Sequence, residues 1–208
     1  MYKFVVLTAV CAVAATASAQ VLNFNQAPNN GLTASGTTLY MDVTDLSGIG
    51  LHVNAFDTYG SGTAGSAWNW SIYVKAGTYV GFMQASLGSW TLLGSYASTH
   101  NGSTTLATMD ISSNPIVVAA NSTVGVALQV TLGGIRYTGV GTTGGINTVS
   151  NADASAFSNH SQGTWQVSTP FTPRSFAGNV HYEVVPEPAS FVALGLGIAI
   201  LALRRRAR

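Results

Sequence analysis

The sequence predicts an all-β protein, an antiparallel two-sheet β-sandwich of jelly-roll type, and three observations carry that prediction. Apolar and polar residues alternate at period two through most of the interior of the chain. Turn residues punctuate the alternating runs at short intervals, and away from the two ends no window of helical length shows a 3.6-residue apolar stripe. Composition agrees. Only 7% of the 208 residues are charged, 47% are apolar, and Gly alone contributes 23. A soluble domain ordinarily carries about 25% charged residues, so this surface is covered by Ser, Thr, Asn and Gly instead. Scarce cations exclude a nucleic-acid binder, whose phosphate contacts need clustered Lys and Arg. The apolar content and near-neutral balance exclude intrinsic disorder.

The chain opens with Lys3, an apolar stretch from Phe4 to Ala17, and Ala17-Ser18-Ala19 before Gln20. A positive start, an apolar run and a small-x-small site make a secretory signal peptide, here residues 1–19, a helix removed by signal peptidase after Sec export. The expected cut falls between Ala19 and Gln20. Cys11 lies inside this segment, so the mature chain would hold no cysteine, which excludes disulfides, thiolate metal sites and cysteine nucleophiles.

Residues 20–184 are expected to form one ectodomain, enough for a single core and scarcely for two. Ile49, Leu51, Val53 and Ala55 alternate with polar or small neighbours, as do Trp68, Trp70, Ile72 and Val74. Val124, Val126, Leu128, Val130 and Leu132 do so most clearly, and each run reads as a strand with one buried face. Residues 39–43, 79–84, 90–96, 104–111, 135–138 and 176–184 are further candidate strands. Ala76-Gly77, Leu87-Gly88, Asn101-Gly102 and Asn114-Pro115 supply the turns, and Gly133-Gly134 reads as a two-residue hairpin.

This segment is sparing in chemistry. Its three cations, Lys75, Arg136 and Arg174, face six carboxylates, Asp42, Asp45, Asp57, Asp110, Asp153 and Glu183. Two Gly-x-Gly-x-x-Gly stretches, at 60–65 and 139–144, lack the strand-to-helix context that a dinucleotide site requires. His52 and His181 should point outward from strands, while His100 and His160 fall in polar loops, and no paired-His zinc motif occurs. No metal or other cofactor is expected, although Asp42, Asp45 and Asp153 offer oxygen ligands for a structural calcium and can equally cap turns. No Gly-x-Ser-x-Gly elbow or selected pair of carboxylates points to catalysis, so a non-enzymatic protein is expected. Trp68 and Trp70 share a face with Ile72 and Val74 and belong in the core. Trp165, after a polar loop, is the candidate exposed platform for a sugar ring.

The chain ends in Pro186-Glu187-Pro188, thirteen uncharged residues from Phe191 to Leu203, and Arg204, Arg205, Arg206 and Arg208. Phe191, Leu194, Leu196, Ile198, Ile200, Leu201 and Leu203 make this a transmembrane-like helix. At about 1.5 Å per residue it spans about 20 Å, short of the ~30 Å hydrocarbon core unless it extends toward Pro188 and its arginines snorkel. The arginines would retain the C-terminus in the cytoplasm and leave the ectodomain on the far side of the inner membrane.

Pro-Glu-Pro, an apolar helix and an arginine cluster, on a chain with a signal peptide, closely resemble the PEP-CTERM sorting domain of Gram-negative bacteria, over residues 185–208. The resemblance implies that Pro186, Glu187 and Pro188 are recognised by an exosortase, that residues 191–203 anchor the chain transiently, and that the arginines retain it until processing. It also implies delivery to the cell surface or medium, in bacteria that make an exopolysaccharide or biofilm matrix. Two prolines present an extended backbone to a processing enzyme. The expected function is therefore an exported surface or extracellular-matrix protein. A carbohydrate-binding or adhesive module that engages exopolysaccharide is the alternative, and a secreted polysaccharide hydrolase is a more distant one.

Overall fold

Period-two alternation with frequent Gly-containing turns leaves the backbone one way to satisfy its donors and acceptors, which is to pair laterally. A computed structural model describes residues 19–32, 36–84 and 89–185, and they form fifteen strands with no α-helix among them. The predicted signal helix and transmembrane-like helix lie outside the described residues.

The strands form three antiparallel sheets. The largest has six, in the order β12 (Thr148–Ser150), β13 (Ala154–Gln162), β3 (Thr38–Asp45), β9 (Thr123–Leu132), β5 (Ala67–Ala76) and β6 (Thr91–Thr99). A second runs β1 (Ala19–Asn23), β15 (Gly178–Val184), β4 (Leu51–Thr58) and β7 (Ala107–Asp110), with β8 (Ile116–Val118) also paired to β4. In the third, β10 (Ile135–Val140) lies between β11 (Thr143–Gly144) and β14 (Ser175–Phe176) and also pairs with β2 (Asn30–Leu32). The first two sheets share one apolar core. Leu39, Met41, Trp68, Trp70, Ile72, Val126 and Leu128 enter it from the six-stranded sheet; Leu51, Val53, Phe56, Val180 and Tyr182 enter from the five-stranded one. The Trp68 and Trp70 rings meet edge to face, 4.5 Å between centroids. The predicted all-β class and the core placement of both tryptophans hold.

The expectation of two sheets alone is corrected by the third sheet, and with it the Gly133-Gly134 hairpin. Strands β9 and β10 flank that pair but do not pair with each other: β9 stays between β3 and β5, while β10 joins the third sheet. Gly133, at φ 89°, lets the chain turn a corner between sheets. Residues 79–84 are not a strand. Their Tyr79 is fully buried with Tyr40, Trp90 and Ala127 in a second apolar cluster on the far side of the six-stranded sheet. That sheet is therefore covered on both faces, which explains why β3 is buried at nearly every position. In β4 the alternation slips after Val53, because the pairing with β15 shifts register between His181 and Tyr182. Phe56 and Thr58 then point inward, and Ala55 does not.

The last described strand is internal. Strand β15 pairs with β1 on one side and with β4 on the other. It begins at Gly178, where φ is 150° and an added Cβ would meet the Asp57 carbonyl oxygen at 1.9 Å. Gly178→Ala should lower the unfolding free energy by about 2 kcal/mol or more through strain and overpacking. A urea titration followed by tryptophan fluorescence checks this, with the shift expected in the midpoint.

Candidate functional site

Of the signal-cleavage residues, Ala19 and Gln20 begin β1, where they pair with Glu183 and Tyr182; Ala17 lies outside the described residues. So do Pro186, Glu187, Pro188, the apolar anchor positions 191–203 and the four C-terminal arginines. Val185 is the last described residue. Its N–H donates to the Gly50 carbonyl at 3.0 Å, so backbone pairing reaches the position next to Pro186. Beside it, the Tyr182 hydroxyl lies 3.0 Å from Gln20 Oε1 and 2.9 Å from Asn151 Oδ1.

The calcium candidates are occupied with turns and loops. Asp42 is buried on the outer face of the six-stranded sheet, where it accepts from the Thr78 hydroxyl at 2.5 Å and the Tyr79 N–H at 2.8 Å. Burial pushes its pKa up, opposed by those two bonds and by the Lys75 charge. Asp45, at the end of the same strand, accepts from the N–H groups of Ser47, Gly48 and Asn121 and from the Ser47 hydroxyl. Burial raises its pKa, but these bonds outweigh it and the net shift is downward. Asp153 accepts from Gln20 Nε2 at 2.7 Å, tying β1 to the loop before β13. Among the described residues no three His, Cys, Asp or Glu side chains converge as a metal site would require.

The histidines divide differently from the expectation. His52 and His181 are on the outer face of the five-stranded sheet, as alternation implies, and each meets a carboxylate: His52 Nδ1 is 3.6 Å from Glu183 and His181 Nε2 is 2.6 Å from Asp57. His160 lies in β13 rather than in a loop, its Nδ1 3.0 Å from the Tyr79 hydroxyl, and burial lowers its pKa. His100 is 1% exposed, packed edge-on against Trp68, and accepts the Gly102 N–H. Nearby Gly60 and Gly62 leave room for the imidazole, which a local reading of a polar loop does not reveal.

Asp57 ties three strands together. Besides His181 it accepts from the Thr108 hydroxyl at 2.6 Å and from Asn179 Nδ2 at 2.9 Å, joining β7, β4 and β15 on one polar sheet face. Period-two spacing puts these residues on one face, but only the strand order makes them neighbours.

Trp165 is half-buried, not free. Its ring lies tilted against Tyr73, 3.6 Å between centroids, and meets Trp90 edge-on, and its Nε1 is buried. One indole edge is therefore withdrawn from any ligand. Between β6 and β8 an apolar groove of about 740 Å3 is lined by Val74, Leu93, Ile116, Val117 and Val124 with Lys75 and Asn114, and no carboxylate enters it.

Comparison with known proteins adds one specific finding. Residues 184–206 match the PEP-CTERM protein-sorting motif. The chain thus carries the tag by which exported proteins are sorted to the cell surface or medium through an exosortase. No curated protein matches the chain. Among solved structures it is similar to the cysteine protease and lectin-like domains of Cwp84, a surface layer associated protein of Clostridium difficile, at 10% identity and a TM-score of 0.45, over 80% of this chain and 36% of that one. A second structure of the Cwp84 protease gives 9% and 0.44, over 80% and 40%. The VP2 protein of infectious bursal disease virus gives 13% and 0.27, over 99% and 52%. The chain spans less than half the length of the Cwp84 structures, and scores this low carry no inference about fold or activity.

Asp57 gives a pH signature. Burial raises its pKa, but the Thr108, Asn179 and His181 contacts outweigh it and hold the carboxyl below the usual range. The folded state then binds fewer protons than the unfolded one just below pH 4, so this contribution is present above that pH and is lost as pH falls through the depressed folded value. Asp57→Asn should cost about 1 kcal/mol at pH 7, and the difference from wild type should shrink toward pH 3. Urea midpoints measured across that range check the sign.

Proposed function

We propose that the protein is a non-enzymatic component of the cell surface or extracellular matrix, exported with removal of residues 1–19 and released from a transient inner-membrane anchor by an exosortase. The observation that carries this reading is the sorting motif at 184–206, joined directly to a β-domain. The disposition of the carboxylates supports it: Asp42, Asp45, Asp57, Asp110 and Asp153 each accept hydrogen bonds from the protein's own groups. A neutral, Ser/Thr/Asn-rich surface suits a hydrated polysaccharide matrix. Mass spectrometry of the protein from cells and culture fluid tests the reading. The expected product begins at Gln20, lacks the apolar and arginine segments, and is found at the surface or in the medium. An intact chain in the cytoplasm with both ends retained would contradict it.

The Tyr73–Trp165 pair, in close ring contact and partly exposed, favours one further reading, a module that binds exopolysaccharide. Trp165→Ala should then weaken binding to a glycan array at least tenfold while the protein stays folded by circular dichroism, and unchanged binding would remove Trp165 from any sugar site.

A further inference from the structure

The sorting motif begins inside the folded domain. Its match starts at residue 184, whereas β15 ends at Val184, and Val185 donates to the Gly50 carbonyl at 3.0 Å. No linker separates Val185 from Pro186. The first two residues of the motif are thus backbone-paired on the β4 side, Val184 with Leu51 and Val185 with Gly50, while β1 reaches along β15 only to Glu183.

A processing enzyme that takes an extended peptide engages its main-chain N–H and C=O groups, and a group already bonded within a sheet cannot serve both. Through Glu183 the strand is flanked by β1 as well as β4, and beyond it the β4-side bonds still hold Val184 and Val185, so their main-chain groups on that side are engaged. Pro186 contributes no N–H and biases Val185 toward extended backbone, which continues the line of β15. We propose that β15 acts as a folded stop on processing: residues 183–185 must leave the sheet before the sorting motif can enter the exosortase. This rests on the reading of residues 184–206 as a processing tag.

The structure also sets how far the strand opens. Glu183 and Val184 pair with His52 and Leu51, their side chains are half-exposed, and the Glu183 carboxylate is held by His52 at 3.6 Å. The next residue inward is the lock. Tyr182 is 1% exposed, with its ring in the core and its hydroxyl between Gln20 and Asn151. Freeing the three residues beyond it releases about 10 Å of extended chain, at roughly 3.3 Å per residue, and takes from the core only the partly buried Val184, leaving Tyr182 in place.

The test uses the full chain in an exosortase-bearing host, with loss of the C-terminal segment followed by pulse-chase and mass spectrometry. A flexible eight-residue Gly-Ser spacer inserted between Val185 and Pro186 should speed that loss several-fold while leaving the melting temperature unchanged. A second variant, His52→Cys with Glu183→Cys, staples β15 to β4 at positions that pair across the strands. It should slow processing, with the rate restored by reductant. Equal rates for wild-type and spacer chains, or an undiminished rate for the oxidised pair, would overturn the proposal. If wild-type and spacer chains both keep their C-terminal segments, the sorting reading itself fails; processing that stops with Glu187→Ala keeps that reading intact.

Discussion

The placement of β15 between β1 and β4 is the constraint on which the rest of the domain depends. It joins the first described strand to β4, and it brings Val180 and Tyr182 into the core. It also supplies His181 and Asn179 to the Asp57 cluster. Without it β1 has no partner in the sheet, and β4 pairs only with the short β7 and β8. Gly178 makes the strand's entry possible, because any side chain there would collide with the Asp57 carbonyl. The five-stranded sheet is therefore completed by the strand whose last residue opens the sorting motif.

Such a closure makes folding depend on both ends of the domain. Contacts between the two ends of a chain carry a loop-closure cost that is met only when both ends are present. Here the final strand arrives together with the sorting segment, so a chain still missing its C-terminus lacks the centre of one sheet. Under the folded stop proposed for β15, processing and folding act on the same few residues, and the order in which they occur becomes a property of the protein.

What was legible in the sequence follows from the range over which each feature acts. The sorting tag is linear, so Pro186-Glu187-Pro188, the apolar run and the arginines suffice to identify it. Strands β5 and β9 are legible because their apolar faces meet one core. Strand β13 is not, since Ser158, Ser161 and Gln162 are fully buried, and Ser158 and Gln162 satisfy backbone and side-chain partners, Tyr40 among them. A buried serine bonded to a carbonyl reads locally like a loop serine in water. The covered second face of the six-stranded sheet makes residues 79–84 resemble a strand in the same way, because Tyr79 is buried by residues distant in sequence. Of the three candidate calcium ligands, Asp45 and Asp153 lie at turns and Asp42 within β3, and only the hydrogen-bond partners show how those carboxylates are used.

Native-state hydrogen exchange on the full chain measures the role of β15 most directly. Amides of Val180 and Tyr182 should exchange only through global unfolding, with protection equal to that of Val53 and Phe56 in β4, while Glu183, Val184 and Val185 exchange faster by local opening. Uniformly fast exchange along β15, with β4 still protected, would contradict a closing strand that holds the sheet together.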